Sequence, residues 1–187
     1  MRITGGQAKG RLLFSPRGLR IRPTTDQVRE SIFSIIGQDL SGLKVLDLFA
    51  GTGALGLEAL SRGADCALFV DNSPQSMRLI KRNLELCGYY ERGIVFKRDL
   101  KRGIPWSHPF FDQEIDLVFM DPPYGKDFLP PLLEELSTGK GLSSRAQIVT
   151  ESFKKFDPPA LGGALGLQDS RSYGDTRISI YGYGVKQ

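Results

Sequence analysis

The stretch from Lys44 to Leu60 constrains this chain more than any other. An apolar run of strand length, Val45, Leu46 and Leu48, breaks into Gly51, Gly53 and Gly56, and a helical pattern burying Ala54, Leu57 and Leu60 follows, with Gly63 as its expected end. Glycine removes Cβ where backbone turns sharply or a ligand comes close. A strand that enters a helix through glycines is the ligand crossing of open α/β sheets. The spacing Gly51-x-Gly53-x-x-Gly56 fits the dinucleotide fingerprint, and Asp71 lies twenty residues beyond Gly51, where an acid holds ribose hydroxyls. Glycines alone admit NAD, FAD, S-adenosylmethionine or plain strand–helix packing. Asp47 favours the third, because it lies inside the strand, four residues before the first glycine. There it would oppose a pyrophosphate but suit a sulfonium and an ammonium, and strand interiors seldom hold acids without a use.

The alternation continues. Residues 66–71 read as a second strand, and Ser73-Pro74 is an N-cap with proline at the first helical position of a helix ending at Cys87-Gly88. Residues 94–96, 115–120 and 147–150 read as further strands, and residues 128–136 as a helix. Apolar strands alternating with helices predict a parallel sheet covered on both faces. Residues 165–170 and 177–183 alternate around Gly174-Asp175, the pattern of an antiparallel hairpin. Upstream, Thr24 with Gln27 forms a capping box for a helix carrying Val28, Ile32, Ile35 and Ile36, which Gly37 ends. The expected fold is α/β, Rossmann-like, with a seven-stranded, mostly parallel sheet. One domain, residues 1–187, is expected, with a basic N-terminal arm or hairpin over 1–22 and a catalytic core over 23–187.

Charge separates the two parts. Residues 1–25 carry Arg2, Lys9, Arg11, Arg17, Arg20 and Arg22 and no acid, so the other 19 bases face 21 acids and the basic character of a chain of net +4 lies at its start. That is the footprint of a polyanion-binding segment. Cys66 and Cys87 fall at apolar positions and read as reduced core thiols, and a lone His108 argues against a metal cage or a Ser-His-Asp triad. No apolar run resembles a leader or a membrane span, so a cytoplasmic protein is expected.

Asp47, Asp71, Asp99 and Asp121 all fall in or at the carboxyl ends of successive strands, where open α/β sheets bind ligands. Directly after the fourth strand stands Asp121-Pro122-Pro123-Tyr124. Two prolines remove two donors and stiffen the turn, leaving carbonyls as acceptors. Asp121 and the Pro122 carbonyl can take the two hydrogens of an aromatic amine, and Tyr124 offers a stacking face. Acceptors placed for a pyramidal nitrogen localise its lone pair, which favours the transition state over the ground state.

Asp-Pro-Pro-Tyr is the motif of the class I S-adenosylmethionine-dependent amino methyltransferases. The chain as a whole resembles the RsmD-type 16S rRNA guanine-N2 methyltransferases, through residues 22–33, 46–63 and 119–124 and the Tyr173-Gly174 turn. The resemblance implies methylation of the exocyclic N2 of guanine(966) of 16S rRNA, naked or in an assembling small subunit, by a monomer without a metal. It implies cofactor contacts from Asp47, Ala50, Gly51, Thr52, Gly53, Asp71, Asn72, Asp99 and Leu100, with Asp99 near the adenine amino group. Asp121, Pro122, Pro123 and Tyr124 would hold the flipped guanine. Thr24, Thr25 and Arg29 would join the basic residues of the N-terminal segment at the RNA. One departure is the loop from Lys101 to Glu114, rich in Pro and aromatics, where a covering helix is usual. The alternatives are an amino methyltransferase acting on adenine or cytosine, an NAD-dependent oxidoreductase, and a non-catalytic RNA-binding assembly factor.

Overall fold

The computed structural model describes residues 1–15, 26–123, 128–138, 140–161 and 165–183. After α1 (Asp26–Ile36) the chain alternates β1 (Lys44–Leu48), α2 (Ala54–Ser61), β2 (Cys66–Asp71), α3 (Pro74–Cys87), β3 (Gly93–Lys97), β4 (Ile115–Met120), α4 (Leu129–Ser137) and β5 (Leu142–Phe153), then closes with β6 (Leu165–Tyr173) and β7 (Thr176–Tyr183). The sheet has seven strands in the order β3-β2-β1-β4-β5-β7-β6. β1 to β5 pair in parallel, and β7 pairs antiparallel with both β5 and β6, as expected of the hairpin.

Strand alternation sorts the core into two layers. Val45, Phe69, Phe119 and Val149 face α1, α2 and α3, while Leu46, Leu48, Val70, Val118 and Ile148 face α4. Asp47 shares the face of Val45, because side chains two apart on a strand point the same way. It therefore lies beneath α2. Helix ends follow the sequence: the Ser73 hydroxyl accepts from the Gln75 and Ser76 N–H groups, and Gly88 closes α3 at φ 76°.

One boundary moves, and two readings gain detail. β5 begins five residues before the expected Gln147, because its polar start, Ser143-Ser144-Arg145, is partly solvent-facing and carries no apolar signal. As the Pro- and aromatic-rich loop from Lys101 to Glu114 implied, no covering helix stands among the described residues between β3 and β4; two short 3₁₀ turns, Leu100–Arg102 and Pro109–Asp112, take its place. Of the two forms expected for the basic N-terminus, arm or hairpin, residues 1–15 take the second. They fold as a small hairpin, with Ile3 N–H donating to the Arg11 carbonyl at 3.0 Å and Leu13 N–H to that of Met1 at 3.1 Å. Ile3, Ala8 and Leu13 are buried in the core, and burying the two larger side chains stabilises by about 3–6 kcal/mol together. Residues 16–25, with Arg17, Arg20, Arg22 and the Thr24 cap, lie outside the described residues.

The hairpin is also held by charge. Glu58, fully buried in α2, accepts from Thr4 N–H at 2.8 Å, the Thr4 hydroxyl at 2.9 Å and Gly5 N–H at 2.7 Å, and pairs with Arg62 at 2.8 Å. A buried carboxylate needs this many partners, since desolvation costs several kcal/mol per ion. Cys66 and Cys87 are free thiols, and burial pushes both up from the ordinary thiol range, as suits inert core groups.

Candidate active site

The strand register builds the site. Leu48 pairs with Val70 on one side and Met120 on the other, so the next residues, Phe49, Asp71 and Asp121, stand at one level across three neighbouring strand ends. Two strand spacings of about 4.8 Å put the backbones of Asp71 and Asp121 roughly 10 Å apart, with the glycine loop between them.

That loop is tightly bent. Phe49 has φ 61°, Gly51 φ 56° and Gly53 φ 80°, and Phe49 is the one non-glycine residue with positive φ among the described residues. For a bulky side chain this is a strained conformation, worth of order 1–3 kcal/mol, of the kind that gathers at functional sites. The Phe49 ring packs against Phe128, with centroids 5.1 Å apart. The glycines have different tasks. A Cβ on Gly56 would meet the Phe69 ring at 2.3 Å and Asp47 Oδ2 at 3.0 Å, so this glycine lets α2 settle on the sheet. A Cβ on Gly51 would meet nothing nearer than the Phe49 carbonyl at 3.8 Å, so the loop is open there to a ligand.

Two carboxylates brace the loop. Asp47, 2% exposed, accepts from Gly56 N–H at 3.0 Å. Burial pushes its carboxyl up to about 7, with Asp71 adding to the rise and the Gly56 bond opposing it. The sequence aims Asp47 at the methionine end of a ligand; in the fold it accepts from Gly56 of the loop itself. Asp71 accepts from Gly51 N–H at 2.9 Å and Ser73 N–H at 2.8 Å. A carboxylate has about four acceptor positions, so half of its capacity is left for a ligand. Ala50 N–H is held by the Val70 carbonyl at 3.1 Å and the Thr52 carbonyl by Asn83 at 2.9 Å. Asn72 is exposed at the start of the turn into α3.

On the far side, Asp99 is exposed and caps its 3₁₀ turn by accepting from Lys101 N–H at 3.1 Å, while Leu100 is buried. A cavity of about 550 Å³ opens between Leu100, Lys101 and Gly103 on one side and Phe128 with the α4 residues Pro131, Leu132 and Glu135 on the other. It shares only Leu100 with the expected cofactor residues. Glu135 fixes its wall by accepting from Ile104 N–H and the Trp106 indole N–H. Asp121 is partly exposed, Pro122 is buried and Pro123 exposed; Tyr124 lies outside the described residues. No group of three or more His, Cys, Asp or Glu among the described residues is placed to hold a metal ion. No helix among them is long and apolar enough to cross a membrane.

The expected RNA residues divide. Lys9 is exposed. Arg2 is exposed beside Asp26 at 3.5 Å, and Arg11 donates to the Leu86 carbonyl at the end of α3. Arg29 is a correction: its side chain is fully buried, donating to the Arg2 carbonyl and to Asp26 at 3.0 Å, so in this fold it cannot reach a phosphate. Sequence reasoning missed Phe49, Phe128 and Asn83. Asn83, the one polar residue on the buried face of α3, was the signal available.

The family model described as conserved hypothetical protein 95 matches residues 1–182. The chain belongs to this family, the RsmD-type class I methyltransferases. Among similar proteins, YlbH of Bacillus subtilis, provisionally named an rRNA methyltransferase, is 37% identical over 183 residues, covering 97% of this chain and 98% of its own. Ribosomal RNA small subunit methyltransferase D of Escherichia coli is 30% identical over 185 residues, covering 97% of this chain and 89% of its own. The solved structure of Escherichia coli yhhF, provisionally titled a methyltransferase, superposes with a TM-score of 0.81 at 31% identity, covering 100% of this chain and 99% of that one. Class I enzymes of this type take their methyl group from S-adenosylmethionine. The RsmD-type chain fits it, with an open Gly51, spare acceptor capacity on Asp71 and a titratable Asp47 behind the loop.

Proposed function

We propose that this chain methylates the exocyclic N2 of a guanine in 16S rRNA of the small ribosomal subunit, the base numbered guanine(966). The coarser statement, that it is an S-adenosylmethionine-dependent rRNA methyltransferase, is supported by family membership and by full-length relatives named for that activity. The observation that carries the reading is the adjacency of the glycine loop after β1 and the Asp121-Pro122-Pro123 turn after β4 at one sheet edge.

When bound, S-adenosylmethionine supplies an electrophilic methyl group and a neutral sulfide leaving group. Asp47, Ala50, Gly51, Thr52 and Gly53 would receive its methionine end, Asp71 and Asn72 its ribose, and Asp99 and Leu100 its adenine. The rest falls to the acceptor turn. Asp121 and the Pro122 carbonyl hold the two N2 hydrogens, and Tyr124 stacks on the flipped base. Held so, the nitrogen keeps its lone pair out of ring conjugation and aimed at the neighbouring loop, and the partial positive charge that grows on it faces a carboxylate. Proton loss from the methylated nitrogen is then easy, so Asp121 need not act as a strong base.

The direct test incubates the protein with labelled S-adenosylmethionine and small-subunit particles from a strain lacking this methylation, then maps the modified nucleotide. N2-methylguanine at that position is expected. Label on an adenine or cytosine, or on DNA in preference to particles, would overturn the assignment.

A further inference from the structure

We propose that rRNA reaches the site along α3, over a basic track formed by Arg78, Lys81 and Arg82 beside the second limb of the N-terminal hairpin. This rests on the rRNA reading above and adds a surface to it. The limb is laid along the helix. Arg11 donates to the carbonyl of Leu86 in the last turn of α3, and three residues later Phe14 reaches Asn83, giving its N–H to Oδ1 at 2.8 Å and taking Nδ2–H on its carbonyl at 3.1 Å. The limb therefore runs from the C-terminal end of α3 towards its N-terminal end. There the preceding Ser73 is bonded to Asp71 at the ligand edge.

Arg78, Lys81 and Arg82 are spaced three and four residues apart, which sets them on one helix face, and all three are exposed. Among the described residues none of the three is ion-paired, and Glu85 is the only acid on the helix. Arg82 lies 3.8 Å above the half-exposed Phe14 ring, a cation with an aromatic in the manner of single-strand nucleic-acid surfaces. Asn83, fully buried, also donates to the Thr52 carbonyl of the glycine loop at 2.9 Å. One side chain thus fixes the track against the cofactor loop. A phosphodiester backbone lying on this face is led to the strand ends where Asp121 stands, and its charge is the one that three unpaired cations select. Contacts of this kind position the strand and read no sequence.

The test is the double variant Arg78→Gln/Lys81→Gln in the full chain, with Lys140→Gln as a control on the turn before β5, at the opposite end of the sheet. Binding of unmethylated small-subunit particles is measured from about 0.05 to 0.3 M salt. Loss of two phosphate contacts should flatten the logarithmic salt slope by about 1.4–1.8 and weaken binding roughly tenfold near 0.15 M. In labelled transfer, KM for particles should rise while kcat at saturation holds. Binding of S-adenosylhomocysteine and the thermal midpoint should match the wild type, and Lys140→Gln should change nothing. A double variant with wild-type slope and KM overturns the track, as does an equal loss in the control. A wild-type chain that neither binds nor methylates particles overturns the rRNA reading itself, and the track with it.

Discussion

Replacing Asp47 with Asn removes a charge that its own position resists. Folded Asp47 keeps its proton up to about pH 7, whereas the ordinary carboxyl of an unfolded chain loses it near 3.8. Between those values the native state binds more protons than the unfolded one, so this residue makes the fold less stable as pH rises, and its effect levels off above about 7. A gap of roughly three pH units at about 1.4 kcal/mol each gives close to 4 kcal/mol, of which about 2–3 kcal/mol develops between pH 5 and 8. The amide of the Asp47→Asn variant would keep the shape and an oxygen for Gly56 N–H, and it does not titrate. Urea unfolding of both proteins at constant ionic strength across pH 5–8 isolates the residue, because the titrations of groups not coupled to it cancel in the difference. The variant should gain on the wild type by about 2–3 kcal/mol over that range and then plateau. A flat difference, or a wild type that gains with pH, would refute the argument that burial governs this carboxyl.

Asp121→Ala should abolish methyl transfer while leaving S-adenosylhomocysteine binding, followed by calorimetry, within a few-fold of wild type; normal turnover would remove the acceptor turn from the mechanism. Gly56→Ala drives a methyl into the Phe69 ring at 2.3 Å, and overpacking of this kind costs about 1–3 kcal/mol, seen as a lowered urea midpoint together with weaker cofactor binding. An unchanged midpoint would mean that α2 can lift off the sheet freely. Glu58→Gln leaves Arg62 buried without its carboxylate, while Arg29 keeps Asp26, so a loss of about 3–5 kcal/mol and early proteolysis within residues 1–15 are expected; protection equal to wild type would show that apolar contacts alone hold the hairpin.

The sheet was legible because its signals are local. Residues 66–70 are a continuous apolar run and 115–120 is apolar but for Asp116, and the Ser73-Pro74 start and Gly88 end of α3 follow from backbone chemistry that each residue type carries with it. What escaped depends on contacts between distant residues. Ile3 and Leu13 looked like parts of a charged arm because their partners lie far away in sequence. Glu58, an acid within the otherwise apolar helix of residues 54–61, was the available hint that something must come to meet it. Asp47 was read as unusual for the right reason, the cost of burying an acid, but its first partner is a backbone N–H of the loop. The site was legible as a set of strand ends. The bend at Phe49 was not, since no residue type announces a positive φ on a phenylalanine.

The contact between Phe49 and Phe128 ties the two halves of the chemistry into one piece. The segment proposed to hold the base leaves β4 at Asp121, and Phe128 beyond it packs against the Phe49 ring of the glycine loop. Changing which base this scaffold accepts is therefore not a matter of transplanting residues 121–128 alone. A graft from a cousin with another specificity would arrive without the ring that anchors its end. The exchangeable unit is that segment together with Phe49.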